Sequence, residues 1–186
     1  MLSEIRGKVE PLLEPVARAF IQVGFTPNWI TLLGLLMGSA AALLFANGEA
    51  GLAGVTLLIC GFLDVIDGAV ARVGGMETAF GGLLDSVVDR YIDFAIFAGA
   101  IHAGLIGWKW GLFAVAGSFM VSYTRARAEA AGSGKLDVGI AERGERLLIL
   151  AAGGLLNLMH YAVPLVAILA HLTALQRVIV ARRRLP

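Results

Sequence analysis

Residues 64–93 read DVIDGAVARVGGMETAFGGLLDSVVDRYID, and this stretch decides the fold. It sets five aspartates, Asp64, Asp67, Asp85, Asp89 and Asp93, inside a chain that is 58% hydrophobic with a mean hydropathy of +0.81. A carboxylate sunk in lipid costs about 2.5–3.5 kcal/mol even on insertion scales, so such groups face a protein interior and have partners there. Helical spacing supplies the geometry. Asp64 and Asp67 are i, i+3 neighbours, with Ala71 at i+7, while Gly81, Asp85, Asp89 and Asp93 recur every fourth residue. Two acidic edges therefore face each other across the turn at Gly74 and Gly75. Carboxylates converging on one space need cations. Hard divalent ions with oxygen ligands, Mg²⁺ or Mn²⁺, meet that need; soft metals do not, because Cys60 is the only cysteine and no histidine lies in the stretch. Gly68, Ala71, Gly81 and Gly82 leave room beside the acids, which makes the metal site a substrate site.

Working outward, the composition places the 186-residue chain in the membrane class. A spanning helix takes about 20 mostly apolar residues. Six stretches qualify, at about 28–47, 51–72, 80–105, 108–128, 143–160 and 162–181. The expected fold is thus an all-α integral membrane bundle of six transmembrane helices (residues 26–186) behind an N-terminal segment (residues 1–25). No cleavable signal peptide is expected, because charges run through the first eighteen residues, and a single cysteine permits no intramolecular disulfide. With the Gly74-Gly75 turn on the cytoplasmic side, fourteen of the fifteen Lys and Arg residues fall in or near that side, Lys109 alone lying opposite. The acidic cluster then opens toward the cytoplasm of the cell membrane.

In the N-terminal segment, Leu2, Ile5, Val9, Leu12, Val16, Phe20 and Val23 recur every three or four residues between charged ones. That is the pattern of an amphipathic interfacial helix, weakened by Pro11 and Pro15, which would also allow two short helices. It serves either as a platform clamping the core or as a simple anchor. Pro27 or Asn28 starts the first span, and Asn28 or Thr31 offers polar groups to exposed amides. Small residues such as Gly34 and Gly38 allow close helix approach in lipid. Arg72, ending the second span, reaches either phosphate oxygens or the interface. Arg125 and Arg127 close the fourth span and Arg146 lies one turn into the fifth. Converging beside the acids, they would form a pocket for a phosphorylated acceptor; as helix-end charges they simply obey the positive-inside pattern. His102, His160 and His171 stand alone without ligand spacing, Trp108, Trp110 and Tyr161 read as an interfacial belt, and Arg182, Arg183 and Arg184 as a topology anchor.

The run Asp64-x2-Asp67-Gly68-x2-Ala71-Arg72-x8-Gly81-x3-Asp85-x3-Asp89 resembles the signature of the CDP-alcohol phosphotransferases, integral-membrane enzymes of phospholipid synthesis. The resemblance implies two Mg²⁺ or Mn²⁺ ions on Asp64, Asp67, Asp85 and Asp89, with Asp89 also the general base. It implies a CDP-lipid held by its diphosphate, contacted by Asn28, Thr31, Gly68, Ala71, Arg72, Thr78 and Gly81. The Ser122–Glu129 run and the ERGER run 142–146 are similar to the subgroup that makes phosphatidylinositol phosphate or its archaeal ether-lipid counterpart. That likeness implies inositol 1-phosphate as acceptor, bound by Arg125, Arg127 and Arg146. Arg125 replaces a lysine often found in that subgroup, and Gly144 replaces a proline. Membrane lipid and a homodimer partner are implied; a nucleic acid is not. Glycerol 3-phosphate is the alternative acceptor, serine fits less well because it lacks a phosphate, and a divalent-cation transporter is the reading from another class. Against the transporter stand the acids' position near helix ends, the missing inverted repeat, and the arginines. Asp93, one turn deeper, is either an orienting group or a buried hydrogen-bonded acid.

Overall fold

The computed structural model describes residues 2–185, with side chains described from residue 12 onward. Among these the regular structure is helical: α1 (Leu2–Gln22), α2 (Pro27–Ala46), α3 (Ala50–Val73), α4 (Ala79–His102), α5 (Trp108–Ala130), α6 (Arg143–Leu155) and α7 (Met159–Arg184). The boundaries follow local chemistry. Pro27 opens α2 after an extended Thr26, where its fixed φ suits the first helical turn and its missing N–H is no loss. α3 stops at Gly74, and Gly75 takes a φ of 61°, a left-handed turn that glycine enters without steric cost. The chain then reaches Thr78, whose hydroxyl accepts from Gly81 N at 2.9 Å and caps α4.

α2 packs on α3 and α4, α3 on α6, α6 on α7, α7 on α5 and α5 on α4. These contacts close a ring in the order α2, α3, α6, α7, α5, α4, with α1 outside it against α3. Small residues set the closest crossings. A Cβ added at Gly54 of α3 would come 2.6 Å from Ala151 O on α6, and one at Gly38 of α2 would meet Ile92 of α4 at 2.7 Å. Phe45, Leu57, Ile96, Phe97, Val163 and Val166 fill the buried centre. Leu36, Leu43, Phe94, Leu172 and Leu175 point outward, as a lipid-facing surface requires.

α2, α3 and α7 are long and apolar enough to cross a membrane. α4 interrupts its apolar run with Asp85, Asp89, Arg90 and Asp93. The stretch expected to span 143–160 is a 13-residue helix ending at Leu155, about 20 Å long at 1.5 Å per residue. It ends before Asn157, which adopts a φ of 55° and turns the chain into α7.

α1 is continuous through Pro11 and Pro15. The start of its expected apolar stripe, Leu2, Ile5 and Val9, lies outside the described side chains. From residue 12 onward the buried stripe is Leu13, Val16, Ala17, Phe20 and Ile21, packed on Ile66, Ala69 and Val70 of α3. Leu12 and Val23, expected on that stripe, are exposed.

Candidate active site

The ring carries its polar groups at one end. The last turns of α3 bring Asp64, Asp67, Gly68 and Arg72; the first half of α4 brings Asp85, Asp89 and Arg90; the end of α5 brings Ser122 and Arg125. The start of α6 adds Arg143 and Arg146, and α7 adds Arg177. All of these line one cavity of about 1230 Å³.

One carboxylate oxygen each from Asp64, Asp85 and Asp89 lies within 4.8 Å of the others. An all-oxygen, acidic donor set of this kind suits a hard divalent cation. Asp67, the fourth expected ligand, is buried outside this trio and accepts a hydrogen bond from Thr31 Oγ1 at 2.8 Å. Thr31 also lines a small recess behind the carboxylates.

Arginines interlock with the acids. Arg143 Nη1 donates to Asp64 Oδ1 at 2.8 Å and lies 2.9 Å from Asp89 Oδ1. The other oxygen of Asp89 accepts from Arg90 Nη2 at 3.0 Å, and Arg90 also donates to Ser122 Oγ. One turn deeper, Asp93 sits between two guanidiniums, with Oδ1 3.7 Å from Arg143 Nε and Oδ2 3.6 Å from Arg146 Nη2. Arg146 is anchored by donating to Ala141 O at 3.2 Å. Arg177, almost fully buried, donates to Val121 O at 2.7 Å and to Val138 O at 2.8 Å, so it ties the connection 131–142 to the end of α5.

The expected acceptor arginines do not all converge. Arg125 and Arg146 line the cavity, whereas Arg127 is exposed and outside its lining. Helical residues two positions apart are separated by about 200° around the axis, so Arg125 and Arg127 point to different sides of α5. The other guanidiniums that line the cavity belong to Arg72, Arg90, Arg143 and Arg177. Arg125 is held by Glu129 at 3.1 Å and Asp137 at 3.0 Å. In that connection, burial works against the Asp137 carboxylate, but Lys135 and Arg125 beside it more than offset this and hold its pKa below the ordinary value.

Of the residues expected at the nucleotide, Gly68 and Arg72 line the cavity and Ala71 does not. Asn28, Thr78 and Gly81 gather outside it: a Cβ at Gly81 would sit 3.0 Å from Thr78 Oγ1 and 3.3 Å from Asn28 Oδ1. Sequence reasoning passed over Arg143, Arg90 and Arg177. Arg143 had a signal, since it is three residues before Arg146 and such pairs share a helix face.

A ring of helices that is apolar outside and brings carboxylates and guanidiniums into one cavity is suited to a membrane and to holding a cation beside an anionic group. The comparisons sharpen this reading. The family model for CDP-alcohol phosphatidyltransferase matches residues 25–179. The archaetidylinositol phosphate synthase of Pyrococcus horikoshii is 45% identical over 100% of this chain and 98% of its own length. That of Methanothermobacter thermautotrophicus is 39% identical over 100% and 96%. Among solved structures, the phosphatidylinositol phosphate synthase of Mycobacterium tuberculosis with CDP-DAG bound superposes with a TM-score of 0.79 at 31% identity, covering 92% of this chain and 94% of that one. The same protein with manganese and citrate gives 0.79 at 31%, covering 91% and 88%. The chain belongs to the CDP-alcohol phosphatidyltransferase family and is a transferase.

Proposed function

We propose that the chain transfers the lipid-phosphate group of a CDP-lipid, of the diacylglycerol or archaeol type, to a hydroxyl of inositol 1-phosphate and releases CMP. The observation that carries this reading is the shared cavity: the Asp64, Asp85 and Asp89 oxygens and the arginines Arg125, Arg143 and Arg146 open onto one space. A cation site beside an anion site is what a diphosphate donor and a phosphorylated acceptor require. The relatives named as inositol phosphate lipid synthases and the structure carrying CDP-DAG support the same pairing.

Asp64, Asp85 and Asp89, with Asp67 beside them, would hold two divalent ions, Mg²⁺ or Mn²⁺. When bound, such ions supply charge neutralisation for the diphosphate and for the leaving CMP. The manganese-bound relative supports that assignment. Thr31 fixes the Asp67 carboxylate by donating to its Oδ2. Asp89, on the cavity wall, takes the proton of the attacking hydroxyl as its oxygen bonds to the lipid-side phosphorus and the anhydride bond to CMP breaks. Arg125 and Arg146 bind the acceptor phosphate; Arg127 stays at the exposed end of α5 as a peripheral charge whose substitution tests how far the acceptor extends. Gly68 and Arg72, with Ala71 next to them, form the nucleotide side, and Asn28, Thr78 and Gly81 its outer edge.

The wider setting belongs to the same proposal. Six helices, α2–α7, form the transmembrane domain of residues 26–186 in the cell membrane, the cavity faces the cytoplasm, residues 1–25 lie along the interface, and the assembly is a homodimer. Supporting the orientation is the gathering of Lys and Arg at the cavity end.

The test is CMP release by purified protein with a CDP-lipid, Mg²⁺ or Mn²⁺, and inositol 1-phosphate, glycerol 3-phosphate, serine or free inositol in parallel. Release with inositol 1-phosphate alone is expected. Release with glycerol 3-phosphate instead would overturn the acceptor assignment while keeping the chemistry, and no release with any acceptor would overturn both.

A further inference from the structure

Arg143 bridges the two acidic helices of the site. Its Nη1 holds Asp64 Oδ1 of α3 at 2.8 Å and Asp89 Oδ1 of α4 at 2.9 Å, and both aspartates belong to the trio whose oxygens cluster within 4.8 Å. A guanidinium held at 2.8 and 2.9 Å by those two oxygens competes with a divalent cation for their lone pairs and repels it as a like charge. Arg143 also has a third carboxylate within reach. Asp93 Oδ1 is 3.7 Å from its Nε, and Asp93 Oδ2 accepts no hydrogen bond from the described residues. Arg143 Nε and Nη2 are buried and likewise lack an acceptor among those residues. Arg143 Nε thus stops just short of hydrogen-bonding distance from Asp93 Oδ1, and a short move toward Asp93 would give a buried, unsatisfied donor an acceptor.

We propose that Arg143 is an exchangeable counter-cation: it neutralises Asp64 and Asp89, yields those oxygens to a divalent ion, and shifts onto Asp93 as it does so. Asp93 thereby acquires a role as the carboxylate that receives the displaced guanidinium. This rests on the reading of the aspartates as a metal site. The consequence is that Arg143 opposes metal binding while stabilising the metal-free protein, the opposite of a residue that only supports the site. Arg146 is the control. It faces Asp93 at 3.6 Å, and neither Asp64 nor Asp89 is among its partners.

The experiment is Mn²⁺ titration of the full-length protein by calorimetry, with melting temperatures in chelator and in saturating Mn²⁺, for wild type, Arg143→Gln, Arg143→Lys, Asp93→Asn, Arg146→Gln and the double variant Arg143→Gln/Asp93→Asn. Arg143→Gln is expected to bind Mn²⁺ about tenfold tighter, the equivalent of one charge-assisted hydrogen bond no longer competing, and to melt lower in chelator. Arg143→Lys keeps the charge and falls between the two. Asp93→Asn is expected to weaken Mn²⁺ binding in the wild-type background and to change it little once Arg143 is gone. Unchanged or weaker binding in Arg143→Gln and Arg143→Lys, or an Asp93→Asn effect equally large in both backgrounds, would overturn the proposal. If wild type itself bound no Mn²⁺, the metal-site reading would fail first and take this inference with it.

Discussion

Thr31 Oγ1 donates to Asp67 Oδ2 across 2.8 Å, joining the first turns of α2 to the acidic edge of α3. Both groups are buried, at 6% and 7% exposure, so the bond lies in a medium where its loss leaves a carboxylate with poorer compensation. Thr31→Val keeps the shape and removes the donor. We expect it to destabilise the protein by about 1–3 kcal/mol and to weaken divalent-ion binding, read as a lower melting temperature and a weaker Mn²⁺ titration. An unchanged melt and titration would show that Asp67 does not depend on Thr31.

Gly54 lies where α3 and α6 approach so closely that a methyl has no room, since the added Cβ would come 2.6 Å from Ala151 O. A carbonyl cannot rotate away as a side chain can. Gly54→Ala should therefore cost about 1–3 kcal/mol, and Gly82→Ala, with nothing within 4 Å of the new Cβ, should cost less, both measured by thermal unfolding in detergent.

Arg125 and Arg146 reach the cavity from α5 and α6. Alanine at either should raise KM for inositol 1-phosphate roughly ten- to a hundredfold while leaving KM for the CDP-lipid close to wild type, the loss expected for a charge-assisted phosphate contact. Arg127→Ala, outside the cavity lining, should have the smaller effect. Steady-state kinetics with each substrate varied in turn distinguishes these cases.

Asp137, between Lys135 and Arg125, carries a pKa below its ordinary value. A depressed carboxyl stabilises the folded state at pH above its unfolded value, and that contribution is lost as pH falls through the folded value. The acid limb of stability, below about pH 4, should thus be shallower in Asp137→Asn than in wild type, as followed by melting temperature against pH in chelator.

Much of this organisation was legible in the residues. The apolar stretches became helices α2–α7, of which α2, α3 and α7 are long and apolar enough to cross a membrane, and the aspartate spacing placed Asp64, Asp85 and Asp89 together. What local pattern does not encode is rotation and pairing across the bundle. The buried stripe of α1 is set by the groove on α3, so it runs through Leu13, Ala17 and Ile21 in addition to Val16 and Phe20, and leaves Leu12 and Val23 outside. α6 stopped at Leu155 because the Asn157 turn interrupts a run that remains apolar in composition. Arg127 was grouped with Arg125 by proximity in sequence, although two residues apart is the wrong interval for a shared helix face. Arg177 carries no local sign of burial. Its burial depends on the carbonyls of Val121 and Val138, which are distant in sequence and meet only in the fold.

The most direct measurement is mass spectrometry of the lipid product after purified protein is incubated with a CDP-lipid, Mg²⁺ and inositol 1-phosphate, alongside the same mixture with chelator and with Asp89→Asn. The account predicts a lipid carrying inositol phosphate joined through the donor's own phosphate, formed with one CMP per lipid, and absent in both controls. A lipid product that lacks the acceptor phosphate, or one formed equally well in chelator or by Asp89→Asn, would contradict it.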